Sequence, residues 1–239
     1  MNDVRTVSDT KRAFYSSHTR PINSIYRRVV EELMVEMHLL SVNADFHYDP
    51  IYALGVVTTF DNFMEGYRPE RDKQSIFNAL CSGIQADPEQ YRRDAETVAN
   101  DVSHWSMDDF LAKAKDPEGQ DSTLFSTLRA IAQAENFKYS RLFVVGLCTL
   151  LERINPDILK DEKASADAIE SLSTAINISA EKAKKDVDLY RSNLDKLIQA
   201  QIVLQDMLEA DRKKKAERLK AKEEQDAATP PSAPAESSQ

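Results

Sequence analysis

The side chains with the greatest chemical potential in this chain are Asp45, His47 and Asp49, set at alternate positions in SVNADFHYDP. In an extended connection alternate residues point to one side, so two carboxylates and an imidazole there have the donor types of a divalent-metal loop. A local reading competes. Asp49 precedes Pro50 and an apolar run, the pattern of a helix N-cap with proline at the first helical position, and Asp45 is a turn residue. It accounts for both carboxylates without a metal. Cys81 and Cys148 lie far apart in apolar surroundings, with no CxxC or Cys/His spacing, which fits free buried thiols better than zinc or a redox dithiol. His18 and His104 have no partner within reach by spacing. His38 and Glu36 are offset by two and fall on different helix faces, unlike the Glu-x-x-His of di-iron bundles. No GxSxG elbow, glycine-rich phosphate loop or HExxH is present. The residues point to a protein that binds and does not catalyse, and they call for no cofactor.

The elements that must position these groups are helices. Among 239 residues, 41% are hydrophobic and only 5 are glycine, enough for a sizeable core but poor in the turn residue that sheets need. Thr6 and Ser8 can cap a short helix through Tyr15. Pro21 then opens a second, whose apolar positions Ile22, Ile25, Tyr26, Val29, Val30, Leu33, Met37 and Leu40 recur with helical period. Asp49 with Pro50 starts a third that stops at Gly66, and Asp87 with Pro88 repeats the device. Ser106 with Asp109 resembles a capping box, and Trp105 before it reads as a staple residue. Further helices are expected over 73–85, 124–137 and 139–154, giving about eight in an all-α core and no confident strand. Linkers are expected near 66–72 and 116–121. Gly55 and Gly146 sit inside apolar helices, where each costs about 1 kcal/mol relative to Ala, so a close helix crossing is expected there. The longest nearly unbroken apolar run, Leu142 to Leu151, is about half the twenty residues a membrane-spanning helix needs. It reads as a buried core helix.

The chain changes character after Pro156. From Ala180 a seven-residue repeat runs through Ala183, Val187, Tyr190, Leu194, Leu197, Gln201, Leu204 and Leu208, a coiled-coil seam widened by Ile198 and Ile202. That seam suits either docking on the core or a second chain. Basic residues from Arg212 to Lys215, with Arg218, Lys220 and Lys222, could meet anionic lipid. They are diluted by Glu217, Glu223 and Glu224, which favours a solvated helix. The closing AATPPSAPAESSQ lacks the residues to bury and is expected to be disordered. The division expected is therefore a helical core over 1–160, a helical coiled-coil arm over 161–226 and a tail over 227–239. A net charge of -9 argues against a general nucleic-acid binder, because phosphate neutralisation supplies most non-specific affinity.

From Thr6 to Glu70 the sequence carries long strings such as HTRPINSIYRRVVEEL, YDPIYALG and FDNFMEGY, followed by IFNALCSGIQADPEQYRR from Ile76 and by YSRLFVVGLCTLLE. These resemble the signature of the thylakoid formation proteins, also called photosystem II biogenesis factors. The resemblance implies a non-enzymatic accessory factor for thylakoid organisation and photosystem II biogenesis and repair. It further implies association with FtsH-type membrane protease complexes and with photosystem II assembly components. MNDVRTVSDTKR has neither a secretory h-region nor a transit-peptide composition. With the resemblance, this suggests a cyanobacterial protein in the cytoplasm and peripherally on the cytoplasmic face of the thylakoid membrane. The family brings no contact residues across. From physics, the polar signature residues Arg20, Asn23, Arg27, Arg28, Asp61 and Asn62 are candidate partner contacts, with capping and ion pairing as the competing roles. Leu194, Leu197, Leu204 and Leu208 are candidates on the arm. Two other functions stay open: a metal-dependent helical enzyme using the Asp45, His47, Asp49 loop, and a soluble pigment or lipid carrier, for which His38 is the one histidine on an apolar helix face.

Overall fold

The computed structural model describes residues 5–116 and 122–228, and these are helical without a strand. The elements are α1 (Val7–Ser17), α2 (Ser24–Ser41), α3 (Pro50–Phe63), α4 (Asp72–Gly83), α5 (Pro88–Asp101), α6 (Met107–Lys115), α7 (Thr123–Gln133), α8 (Arg141–Ile154), a 3-10 turn Ile158–Lys160, α9 (Glu162–Ala175) and α10 (Ala180–Ala228). No helix among the described residues is long and apolar enough to cross a membrane.

Most helix starts follow from local chemistry. Thr6 closes a capping box with Asp9 on α1. Asp49 and Asp87 accept from Tyr52 N and Glu89 N, each ahead of a proline at the start of the helix. Such caps contribute about 1 kcal/mol each by satisfying an amide the helix cannot. Ser106 accepts from Asp109 N and donates its hydroxyl to Asp109 Oδ2 at 2.6 Å. One start differs from expectation: α2 opens at Ser24, three residues after Pro21. Asn23 accepts from Ile25 N and is the better cap, leaving Pro21 in the extended approach. After α3, Gly66 takes φ 73°, a left-handed conformation that glycine adopts at little cost.

Two units divide the chain, Met1–Asp195 and Lys196–Gln239. In the first, α3 is apolar on all sides, with every residue from Ile51 to Val56 buried, because it stands between two hydrophobic clusters. One cluster gathers Phe14, Tyr26, Met37, Tyr52, Phe60 and Phe77 from α1 to α4. The other gathers Ile51, Val98, Phe110, Phe125, Leu151 and Leu172 from α3 and the helices after α4. Gly55 and Gly146 are the crossing point of α3 and α8: a Cβ on Gly55 would lie 1.6 Å from Leu142 O, and one on Gly146 2.0 Å from Ile51 O. The expected close crossing is therefore between these two helices.

Residues beyond 160 contribute to this first unit. α9 buries Ala168, Ile169 and Leu172, and the start of α10 buries Ala183 and Val187 in the same cluster. Their amphipathic faces complete the core, so the first unit extends past the point where an arm was expected to begin. The second unit is the rest of α10. Here Leu197 is buried and Leu204 half-buried, whereas Ile198, Ile202, Val203, Met207 and Leu208 are exposed. Ala227 and Ala228 close α10. The expected linker at 116–121 and disordered tail from 227 otherwise lie outside the described residues.

Candidate functional site

The metal-like loop does not assemble. Asp45 and His47 are exposed, His47 Nδ1 pairs with the backbone carbonyl of Asp45 at 3.1 Å, and Asp49 turns inward to cap α3 at 2.8 Å. Desolvation pushes the Asp49 carboxyl up to about 6. Among the described residues no three His, Cys, Asp or Glu side chains form a group able to hold a metal ion. Both cysteines are free and buried, and burial pushes each thiol up to about 12, which leaves little thiolate for chemistry.

The buried histidines fasten α1. His38 Nδ1 and the Thr10 hydroxyl share a hydrogen bond of 2.9 Å, and His18 Nδ1 and Ser75 Oγ another of 2.9 Å. Burial lowers the pKa of both rings. His38 is thus a core residue tied to a hydroxyl. Tyr48, Tyr52 and Tyr91 pack edge to face or tilted, and the Tyr48 hydroxyl donates to Asp94 at 2.7 Å. These aromatic signature residues build core. Trp105 packs on Phe125 with ring centroids 5.2 Å apart.

The polar signature residues divide by role. Arg20 grips Asp72, itself only 2% exposed, with Nε donating to Oδ2 at 2.9 Å and Nη2 2.7 Å from Oδ1. Asn23 caps α2. Asp61 receives a two-pronged contact from Arg92 at 2.9 and 3.1 Å, and Asn62 donates to the Tyr190 hydroxyl at 2.8 Å, tying α3 to α10. These four therefore have roles within the fold. Arg27 and Arg28 are exposed at the start of α2. Arg28 pairs with Glu32, whereas Arg27 has no ion pair among the described residues. On the arm, Leu194 is half-buried in the first unit, and Leu197, Leu204 and Leu208 belong to the second.

Arg27 and Arg28 stand at one end of a groove of about 1150 Å³ between α2, the start of α8 and the first part of α10. Val35 and Leu39 on α2 and Leu189 on α10 line it while 36%, 56% and 43% exposed. Its acidic groups are engaged internally. Glu31 accepts from Tyr15 and Lys11 at 2.7 and 3.0 Å, Glu32 from Arg28 at 3.0 Å, Glu36 from Arg141 and Asp186 from Tyr139 at 2.6 Å. The Tyr15 bond, then that of Lys11, holds Glu31 below the usual carboxylate range. Lys182 lies over the Tyr139 ring, 4.1 Å from its centroid. Beside the Glu36 and Arg141 pair opens a smaller pit of about 50 Å³, lined by Leu33, Phe63, Leu142, Val145 and Thr59. Thr59 is 6% exposed, and its hydroxyl makes no hydrogen bond.

Sequence reasoning had reached Arg27 and Arg28 but not Val35, Leu39 or Leu189. The usable signal was their position: Val35 and Leu39 are apolar yet fall opposite the buried stripe of α2, where a merely solvated helix carries polar residues. The groove can hold an apolar, elongated partner surface; it gathers no catalytic constellation.

An all-α body built on this signature belongs to the thylakoid formation protein family, whose model matches residues 6–219. The particular relatives are near full-length. Protein Thf1 of Nostoc sp. is 56% identical over 238 residues, covering 99% of this chain and all of that protein. Protein Thf1 of Crocosphaera subtropica is 59% identical over 216 residues, covering 90% of this chain and 89% of the relative. A solved structure of Psb29, at 1.55 Å, superposes with a TM-score of 0.78 at 43% identity, covering 89% of this chain and 99% of that one.

Proposed function

We propose that this chain is a non-catalytic accessory factor in thylakoid formation and photosystem II biogenesis and repair. It acts peripherally at the thylakoid membrane, on its cytoplasmic face in a cyanobacterium, by binding an FtsH-type membrane protease complex and photosystem II assembly components. The observation that carries this reading is the family match across 6–219. The internal engagement of the candidate ligands, Asp49 as a cap and His38 on Thr10, favours binding over the metal-enzyme and pigment-carrier alternatives. The arm residues Leu204 and Leu208 and the exposed Arg27 and Arg28 are the contacts we assign to partners.

The test uses a cyanobacterium lacking its own relative. The full chain restores recovery of photosystem II after strong light, whereas a folded Leu204→Lys, Leu208→Lys chain restores much less. Full restoration by that variant would remove the arm from the account, and no restoration by the unaltered chain would remove the function.

A further inference from the structure

Resting on that binding-factor reading, the structure points further: we infer that the groove between α2 and α10 docks an amphipathic helix of a partner protein, with an apolar face and carboxylates at the end that meets Arg27 and Arg28. The shape favours a helix. Two helices form the walls, and the volume of about 1150 Å³ exceeds the roughly 300–1,000 Å³ of small-molecule pockets. Val35 and Leu39 stand one turn apart on α2, 36% and 56% exposed, with Leu189 across the groove. Apolar residues at positions i, i+3, i+4 and i+7 of a partner helix can cover such a strip. The pit beside it, bounded by Glu36 and Arg141 at the groove wall, offers a socket for one anchoring side chain. The unbonded Thr59 hydroxyl at its lining can hydrogen-bond a polar atom on that anchor.

Charge selects the kind of helix. Every carboxylate lining the groove is held by a group of this chain: Glu31 by Tyr15 and Lys11, Glu32 by Arg28, Glu36 by Arg141 and Asp186 by Tyr139. Arg27 has no such ion pair among the described residues, whereas Arg28 and Glu32 offset each other and Arg141 is paired with Glu36. With Lys182 occupied over the Tyr139 ring, the unspent charge is therefore positive and sits at the Arg27 end. An acidic partner helix complements it, and the complementarity fixes direction as well as preference. A second copy would offer the same arginines and the same occupied carboxylates. An anionic bilayer would face the acidic side chains along the remaining length.

The probe is a pair of labelled, stapled helices of about four turns, with leucine on one face and either glutamate or lysine at one end, read by fluorescence polarisation against the full chain. The glutamate helix should bind about tenfold or more tighter than the lysine helix, a gap of about 1.4 kcal/mol. Arg27→Glu with Arg28→Glu should reverse that order. Leu39→Glu with Leu189→Glu, at exposed positions, should abolish binding with the thermal transition kept, and Leu39→Ser should weaken it without adding charge. Equal binding of both helices, indifference to these variants, or no binding by the wild type overturns the proposal. So does a wild-type dimer dissolved by Leu39→Glu, which would assign the groove to a second copy, or Leu39-dependent capture by anionic vesicles, which would assign it to a bilayer. If the helices fail while the protease complex still co-isolates with the full chain, only the groove is wrong. If that co-isolation fails too, the binding-factor reading goes with it.

Discussion

Adding one methyl group at Gly55 tests the packing on which the whole body depends. In Gly55→Ala the new Cβ would lie 1.6 Å from Leu142 O, 2.6 Å from Leu142 C and 2.9 Å from Gly146 N. All three are backbone atoms, so no rotamer change relieves the clash. Restoring an ordinary contact of about 3.5 Å requires α3 and α8 to separate by about 2 Å, and a gap of even 1 Å forfeits up to about half of each dispersion contact along the seam. Overpacking typically costs about 1–3 kcal/mol when side chains can adjust. With backbone on the far side, the cost belongs above that range, against a gain of about 1 kcal/mol from replacing glycine in a helix. The net expectation is a loss of about 2 kcal/mol or more, a fall in Tm of at least about 4–8 °C for a chain of this size. Thermal and urea unfolding followed by far-UV circular dichroism measures it. Gly83→Ala is the control, because its Cβ would meet Thr10 Cγ2 at 3.4 Å and Thr10 O at 3.5 Å, ordinary contacts; its Tm should stay within a few degrees of wild type. A Gly55→Ala protein as stable as wild type would refute the close crossing.

Acid should loosen α1 first. Burial lowers the pKa of His18 and His38, so their contribution is present above the unfolded value of about 6.5 and lost as pH falls below it towards the folded values. Amide protection factors at residues 7–17, that is, exchange corrected for its intrinsic pH dependence, should fall between pH 7 and pH 5, and His38→Gln should flatten that dependence; pH-independent protection in the wild type contradicts the reasoning. Asp49 runs the other way. Its carboxyl is raised from 3.8 to about 6, so its ionisation weakens the fold as pH rises through that window, and Asp49→Asn, which keeps the cap, should raise Tm at pH 8 relative to wild type but not at pH 3.5. Cys81 and Cys148, buried with thiols near 12, should react with a disulfide reagent only at the rate of unfolding, and prompt labelling of either in the native protein would show that its surroundings are open.

What the sequence could reveal depended on how locally each feature is determined. Thr6, Asp49 with Pro50, Asp87 with Pro88 and Ser106 act within three residues of themselves, so their caps are readable directly. Pro21 misled because proline tolerates the approach to a helix as well as its first turn, and Asn23, two residues on, supplied the stronger cap. Gly55 and Gly146 announced a close approach, but which helices meet is a long-range fact. The continuous periodicity from Ala180 to Leu208 concealed a change of environment: Ala183 and Val187 are buried in the first unit's core, whereas Leu208 is 52% exposed. A heptad pattern does not distinguish these, because it records a helix face and not its neighbour. The groove was the least readable feature. Arg27 and Arg28 stood out as polar residues in the signature, but Leu189 joins them from over a hundred and fifty positions away.

The central claim, that this chain works by binding the thylakoid protease machinery, is tested most directly by quantitative affinity isolation from photosynthetic membranes. The full chain, the Leu204→Lys, Leu208→Lys chain and the Arg27→Glu, Arg28→Glu chain are compared at equal expression, with Tm checked for each. The account predicts that the FtsH-type complex co-isolates with the full chain well above an unrelated helical control and falls at least several-fold with each variant. Recovery of that complex at control level with the full chain would contradict it.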